Sequence, residues 1–210
     1  MARRYRLEYR QRKRRREIQK EMRQQGREAS DKEPNMLREI LGWAIYVLII
    51  IAATYFIITY VGQRTKVSGH SMEPTLQDGD NLIVDKVSYR FRDPERYEII
   101  VFPYKYAEDT FYIKRIIGMP GETIQVKDGA VYINGEKLEE SFDAIEEGKK
   151  GIAAEPITLG EDEYFVMGDN RNHSSDSREA SVGVLKKSDF VGRAWIRIWP
   201  LKSIGVVTHD

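Results

Sequence analysis

Between Glu39 and Arg64 the chain runs through 24 residues without a charged side chain, dominated by Leu, Ile, Val and aromatic residues. At about 1.5 Å of rise per residue, this stretch makes roughly 36 Å of helix, enough to cross the hydrocarbon core of a bilayer. A buried helix of a soluble protein would carry a polar stripe, whereas only scattered Thr and Tyr interrupt the apolar residues here. Trp43, Tyr46 and Tyr60 lie near the ends, where amphipathic rings favour the membrane interface. A transmembrane helix over residues 40–63 is expected. It divides the chain into a tail, 1–39, and an outer part, 64–210, long enough to bury a core of its own.

The formal net charge of +1 hides an asymmetry: residues 1–39 hold 14 Lys/Arg against 7 Asp/Glu, and the remainder 20 against 26. Basic residues flanking a span stay cytoplasmic, so the tail belongs inside and residues 64–210 outside the cell membrane. A cleaved signal peptide fits poorly, because the apolar run is too long and no small-x-small site follows it. Nucleic-acid binding by the basic tail is not expected either, since Glu8, Glu17, Glu21 and Glu28 interrupt it. There is no cysteine, which excludes disulfides, a thiol nucleophile and thiolate metal sites.

Beyond Arg64 the pattern changes to short strands punctuated by turns. Residues 81–87, 97–102, 111–117, 123–126, 130–133, 163–167 and 191–198 are the candidates, giving a mainly β class with an antiparallel β domain. Asp128-Gly129 and Asn134-Gly135 are hairpin-turn pairs, which makes residues 123–138 a hairpin region. Residues 139–161 are acidic, with few large apolar side chains, and are expected to form a solvated loop.

Three segments could carry chemistry. SGHSMEPTL, residues 68–76, sets Ser71 in a turn between Gly69 and Pro74. A serine needs a base to become a nucleophile. FYIKRIIGMPGE, residues 111–122, contains Lys114 and Arg115. On a strand, Lys114 shares a face with Tyr112 and Ile116, and Arg115 shares the other with Ile113 and Ile117. One of the two charges is then expected to lie against apolar neighbours. A lysine so placed loses hydration of its ammonium form, its pKa falls, and the neutral amine can accept a proton. GDNRNHSSDSR, residues 168–178, concentrates polar groups in one loop. A metal site is not expected there, because Arg171 stands where a calcium loop needs an oxygen ligand and the loop has a single His. None of His70, His173 and His209 is well placed by sequence to serve a Ser-His-Asp arrangement.

Taken together, SGHSMEPT, YIKRIIGMPGE and GDNRNHSSDSR, in that order behind a membrane anchor, resemble the type I signal peptidases over roughly residues 40–200. The resemblance implies an endopeptidase that removes signal peptides from exported precursors after small-x-small (Ala-x-Ala) motifs, without a cofactor. It implies Ser71 as nucleophile and Lys114 as general base, with Ser174 orienting the Lys114 amine and Asp176 and Arg178 as a supporting ion pair. Val67, Met72, Leu76, Tyr112 and Ile113 would line pockets for small side chains. Gly69 stands where some members have a Ser that donates to the oxyanion, so the oxyanion hole would rest on backbone N–H groups, including that of Ser71. The family fold implies a small β insertion within the catalytic domain, near residues 120–162, of a size more like that of Gram-positive members. The implied partners are precursor signal peptides, the lipid bilayer and the secretion translocon.

Two other readings share some of these features. The self-cleaving repressors of the SOS response use Ser-Lys chemistry on a related β fold, but carry a DNA-binding domain where this chain has an apolar span. An inactive membrane-tethered β module would not need to keep both Ser71 and Lys114.

Overall fold

A computed structural model describes residues 12–25, 36–107 and 110–209. Much of the basic tail therefore lies outside the described residues. Residues 12–25 are helical (α1) and Met36–Phe56 form α2, followed by a π-helical turn, Ile57–Val61. The stretch Met36–Val61 is long and apolar enough to cross a membrane. Helix α2 starts before the expected residue 40, taking in Arg38 and Glu39. At the other end the chain becomes extended at Gly62, so Gly62 and Gln63 belong to a strand.

Contacts divide the chain into two units, Met1–Ala53 and Thr54–Asp210. The second unit is mainly antiparallel β. Its large sheet runs β1 (Gly62–Lys66), β2 (Asn81–Asp85), β11 (Gly192–Trp199), β3 (Ile99–Pro103), β4 (Phe111–Gly118), β9 (Glu163–Met167) and β10 (Leu185–Lys186), with β12 (Gly205–Val206) against β11. A smaller sheet orders β7 (Glu136–Lys137), β6 (Ala130–Ile133), β5 (Thr123–Lys127) and β8 (Ile157–Thr158).

Local chemistry sets several boundaries. Strand β2 stops two residues short of the expected Val87, because the Asp85 carboxylate accepts the N–H groups of Val87 and Ser88 and turns the chain. Strand β3 starts at Ile99 because Tyr97, with φ 71°, cannot belong to an extended strand. The β5–β6 hairpin closes through Asp128 and Gly129, with φ 50° and 75°, the conformation a two-residue type I′ turn requires. Strands β1, β7, β8, β10 and β12 went unpredicted; they are short or polar and carry little alternation of their own.

Both faces of the central strands are covered. Along β3, Ile99 and Val101 enter a core with Val67, Met72, Leu76, Leu82 and Ile113, whereas Ile100 and Phe102 enter another with Ile116, Tyr164 and Val166. The neighbouring strand β4 is in register with it, Lys114 opposite Ile100 and Arg115 opposite Ile99. One of these cations is expected to lie against apolar neighbours, and the burial extends to both. Lys114 is 3% exposed and Arg115 1%, because a sheet covered on both sides leaves neither face to water.

Residues 139–161 also depart from the expected solvated loop. They contain two short 3-10 turns, Glu147–Lys149 and Gly151–Ala154, and bury Ile145, Ala153 and Leu159 in a third core with Ile117, Ile124 and Phe165. Few apolar residues suffice when each is fully used as an anchor.

Candidate active site

The turn that carries Ser71 is held from several sides. Gly69 takes φ +91°, a conformation L side chains rarely adopt, and its N–H donates to Asp78 Oδ1 at 2.8 Å. The following turn sends Met72 and Leu76 into the core, with the Leu76 N–H donating to the Met72 carbonyl. From the opposite side, the Asn170 N–H donates to the Ser71 carbonyl at 3.1 Å, and Asn170 Nδ2 donates to the His70 carbonyl at 3.1 Å. A Cβ on Gly168 would collide with the Ser71 carbonyl oxygen and with Ser174 Oγ, so this glycine permits the close approach.

Strand β4 delivers Lys114 to the same point. Its Nζ lies 2.8 Å from Ser71 Oγ and 3.0 Å from the Ile113 carbonyl, and 5.1 Å from the centre of the Tyr112 ring. Burial pushes the Lys114 pKa down to about 8, against the opposing pull of Asp176 and Asp169. The amine therefore has access to its neutral form near neutral pH, and a neutral amine 2.8 Å from a hydroxyl can take its proton.

The surrounding charges are paired. Arg115 Nε and Nη2 each donate to Asp169 at 2.8 Å, a bidentate ion pair beneath the loop, and Nη1 donates to the Tyr97 carbonyl. Asp176 accepts two bonds of 2.8 Å from Arg178 and one of 2.9 Å from the Gly168 N–H. Burial by itself would raise the Asp176 carboxyl, but Arg178 and these donors hold it below its ordinary value.

Ser174 differs from its expected role. Its Oγ is buried facing the Asp176 carboxylate, which it helps to hold below its ordinary value, and among the described residues the second bond of Lys114 goes to the Ile113 carbonyl instead. Leu76 is not among the residues that border the cleft, although it packs in the same core as Met72 and Val67, which do. The cleft, about 240 Å³, is bordered by Val67, Gly69, Met72, Tyr112 and Ile113 around Ser71 and Lys114. Lys66, Ser68, His70, Phe111, His173 and Ser175 also border it and are not among the expected site residues. Of these, Phe111, next to Tyr112 on a strand leading to the lysine, had a usable sequence signal.

A family model for signal peptidases, peptidase S26, matches residues 40–199, the segment that holds most of the span, the cleft and every strand but β12. The chain belongs to this family. It is 41% identical over 176 residues to the probable signal peptidase I-2 of a Synechocystis species, covering 81% of this chain and 77% of that protein. A signal peptidase I from Leptolyngbya laminosa is 39% identical over 70% of this chain and 73% of its own length. The signal peptidase I P of Bacillus subtilis subsp. natto is 34% identical over 83% of this chain and 97% of its own length. The chain is accordingly a peptidase of the signal peptidase I type.

In this peptidase the Nδ1 atom of each histidine meets a partner other than Ser71, although His70 and His173 border the cleft. His70 Nδ1 pairs with Glu73 at 2.9 Å, His173 Nδ1 lies 3.2 Å from Asn170 Oδ1, and His209 Nδ1 accepts the Ile99 N–H at 3.1 Å. The Ser71 N–H makes no hydrogen bond among the described residues, whereas that of Gly69 is committed to Asp78. Among the described residues no group of three His, Asp or Glu side chains could hold a metal ion.

Proposed function

We propose that this peptidase cleaves signal peptides from exported precursors with Ser71 as nucleophile and Lys114 as general base. The observation that carries the reading is the 2.8 Å separation of Lys114 Nζ and Ser71 Oγ, with Lys114 buried and its pKa lowered to about 8. Neutral Lys114 takes the Ser71 proton as Oγ adds to the scissile carbonyl. The oxyanion draws on the free N–H of Ser71. The Lys114 ammonium then returns its proton to the departing amine, leaving an acyl-enzyme. In the second half, Lys114 removes a proton from water, the hydroxide attacks the ester, and the collapsing intermediate recovers the proton at Ser71.

Asp176 and Arg178 support this arrangement by fixing the Gly168 N–H, and through Gly168 the backbone against Ser71. The cleft bordered by Val67, Met72, Tyr112 and Ile113 suits small side chains before the cut, in keeping with a small-x-small motif. The apolar span would anchor the enzyme in the cell membrane with the basic tail inside and the β domain outside, where precursors emerge from the translocon.

The test is to incubate the purified full chain with an exported precursor and sequence the new N-terminus. Cleavage directly after an Ala-x-Ala motif is expected, with loss of cleavage when the last Ala becomes Phe and retention when it becomes Gly or Ser. Ser71→Ala should reduce cleavage to background. Indifference to the residue before the cut would remove the signal-peptide reading, and full activity of Ser71→Ala would remove the nucleophile.

A further inference from the structure

The acidic stretch between β7 and β8 runs along the loop of residues 168–178 and is joined to it along its length. Glu140 forms an ion pair with Arg171, whose side chain is 0% exposed, with Nη2 donating to Glu140 Oε2 at 2.8 Å. Asn172 Nδ2 donates to the Ala144 carbonyl at 3.0 Å while the Glu146 N–H donates to Asn172 Oδ1 at 2.9 Å. Further on, Arg178 Nη1 donates to the Lys149 carbonyl at 3.0 Å, and the Ile152 N–H donates to the Arg178 carbonyl at 2.8 Å. The strap is tied at its back to the β5–β6 hairpin, where buried Ile145 donates its N–H to the Gly129 carbonyl.

What these contacts hold is the machinery around Ser71. Arg171, gripped by Glu140, also donates from Nε to the Gly168 carbonyl at 3.2 Å. Gly168 is the residue packed against the Ser71 carbonyl, and Asn170, next to Arg171, donates to that same carbonyl. Phe142 joins the two halves of the site: its ring lies 4.4 Å from the Arg171 guanidinium and 5.4 Å from that of Arg115, the neighbour of Lys114. A cation–π contact to a desolvated guanidinium is among the stronger contacts of its kind. The carboxylate of Glu140 supplies Arg171 with the charge partner that a fully buried cation requires.

We infer that Glu140 and Phe142 are positioning residues for peptide-bond cleavage, setting the Gly168–Asn170 backbone against Ser71 and so its reach to Lys114. The inference rests on the assignment of Ser71 and Lys114 as the reacting pair. The strap touches neither of them, so its effect is on the geometry of the chemical step and not on substrate binding. Misplacing a reacting group by about an ångström costs up to about a hundredfold in rate.

The experiment compares Glu140→Ala, Glu140→Gln and Phe142→Leu with the wild type, each as the full chain in detergent, cleaving one precursor peptide. It reads kcat, KM and the fraction folded from circular dichroism. For Glu140→Ala, kcat per folded molecule is expected to fall about tenfold or more, with KM within about twofold. Glu140→Gln, which keeps an acceptor for Arg171, should recover part of the loss, and Phe142→Leu should lower kcat in the same way. An unchanged kcat per folded molecule, or a loss that only tracks the unfolded fraction, overturns the inference. Should Glu140→Ala not fold, the milder Glu140→Gln and Phe142→Leu decide it by the same criterion. Ser71→Ala and Lys114→Ala, run alongside, separate the two ideas: if either keeps wild-type cleavage, the reacting pair is wrong whatever the strap variants do.

Discussion

Lys114 and Arg115, adjacent on β4, leave the strand on opposite faces and are both buried, yet only Arg115 has a carboxylate partner at hydrogen-bond distance. Arg115 is gripped by the Asp169 fork, and Lys114 meets a hydroxyl, a carbonyl and an aromatic ring. One cation of the pair therefore serves structure. The other has its pKa lowered by burial to about 8.

The first consequence is a pH profile. Because burial brings Lys114 to about 8, kcat/KM is expected to rise as pH increases through that value, as one ionisation of the free enzyme. Steady-state cleavage between pH 6 and pH 10 checks this. A profile already flat below pH 7, or one controlled by an ionisation that disappears in His173→Ala, would rule out Lys114 as the base.

The second concerns stability, with opposite signs at neighbouring positions. The folded-state pKa of Lys114 lies below the unfolded value, so between about pH 8 and 10.5 the unfolded chain binds more protons and stability rises with pH. Below pH 8 both states are charged and the folded one bears the desolvation, on the order of 3 kcal/mol for a shift of this size. Lys114→Met should therefore be more stable than the wild type at pH 7, with the advantage shrinking towards pH 10. Arg115→Met should instead destabilise by about 3–5 kcal/mol, because it leaves the Asp169 carboxylate buried without its cation. Denaturant midpoints of the two variants at pH 7 and pH 10 make the comparison, and destabilisation by Lys114→Met at both would contradict it.

The third concerns Gly168. The added Cβ of Gly168→Ala would meet the Ser71 carbonyl and Ser174 Oγ, and the surrounding backbone has little room to yield. A cost of about 1–3 kcal/mol is expected from such overpacking, together with a loss of cleavage larger than the unfolded fraction explains. Wild-type activity in a folded Gly168→Ala would mean that the approach of the loop to Ser71 is not needed.

The fourth concerns orientation. External protease added to spheroplasts should degrade residues beyond Arg64 and spare the basic tail, because basic flanks stay on the cytoplasmic side. Protection of the β domain would reverse the assignment and leave exported precursors without access to the cleft.

Features written in consecutive residues were legible in the sequence itself. The charge-free stretch before Arg64 marked the apolar helix, Asp128-Gly129 marked the β5–β6 turn, and the strands Ala130–Ile133 and Glu163–Met167 followed from their own composition. Lengths, turn preferences and side-chain alternation are local properties, and a span or a hairpin is stabilised largely by contacts within itself. The motifs also singled out Ser71 and Lys114, which stand 43 positions apart and lie 2.8 Å from one another in the fold; that they are the reacting pair is the proposal made above.

What only the tertiary structure decided is where each side chain meets residues distant in sequence. Alternation along β4 separates Lys114 from Arg115, but it cannot say that both faces are covered, since the covering layers come from other segments. Leu76 looked available to the cleft and lies in the core, and Ser174 reached the site without bonding Lys114. The acidic stretch looked solvated because its sequence shows charges and few large apolar groups. Its function in the fold comes from Glu140 and Phe142 meeting Arg171 and Arg115, and such pairings exist only once loop closure has been overcome by burial elsewhere in the domain.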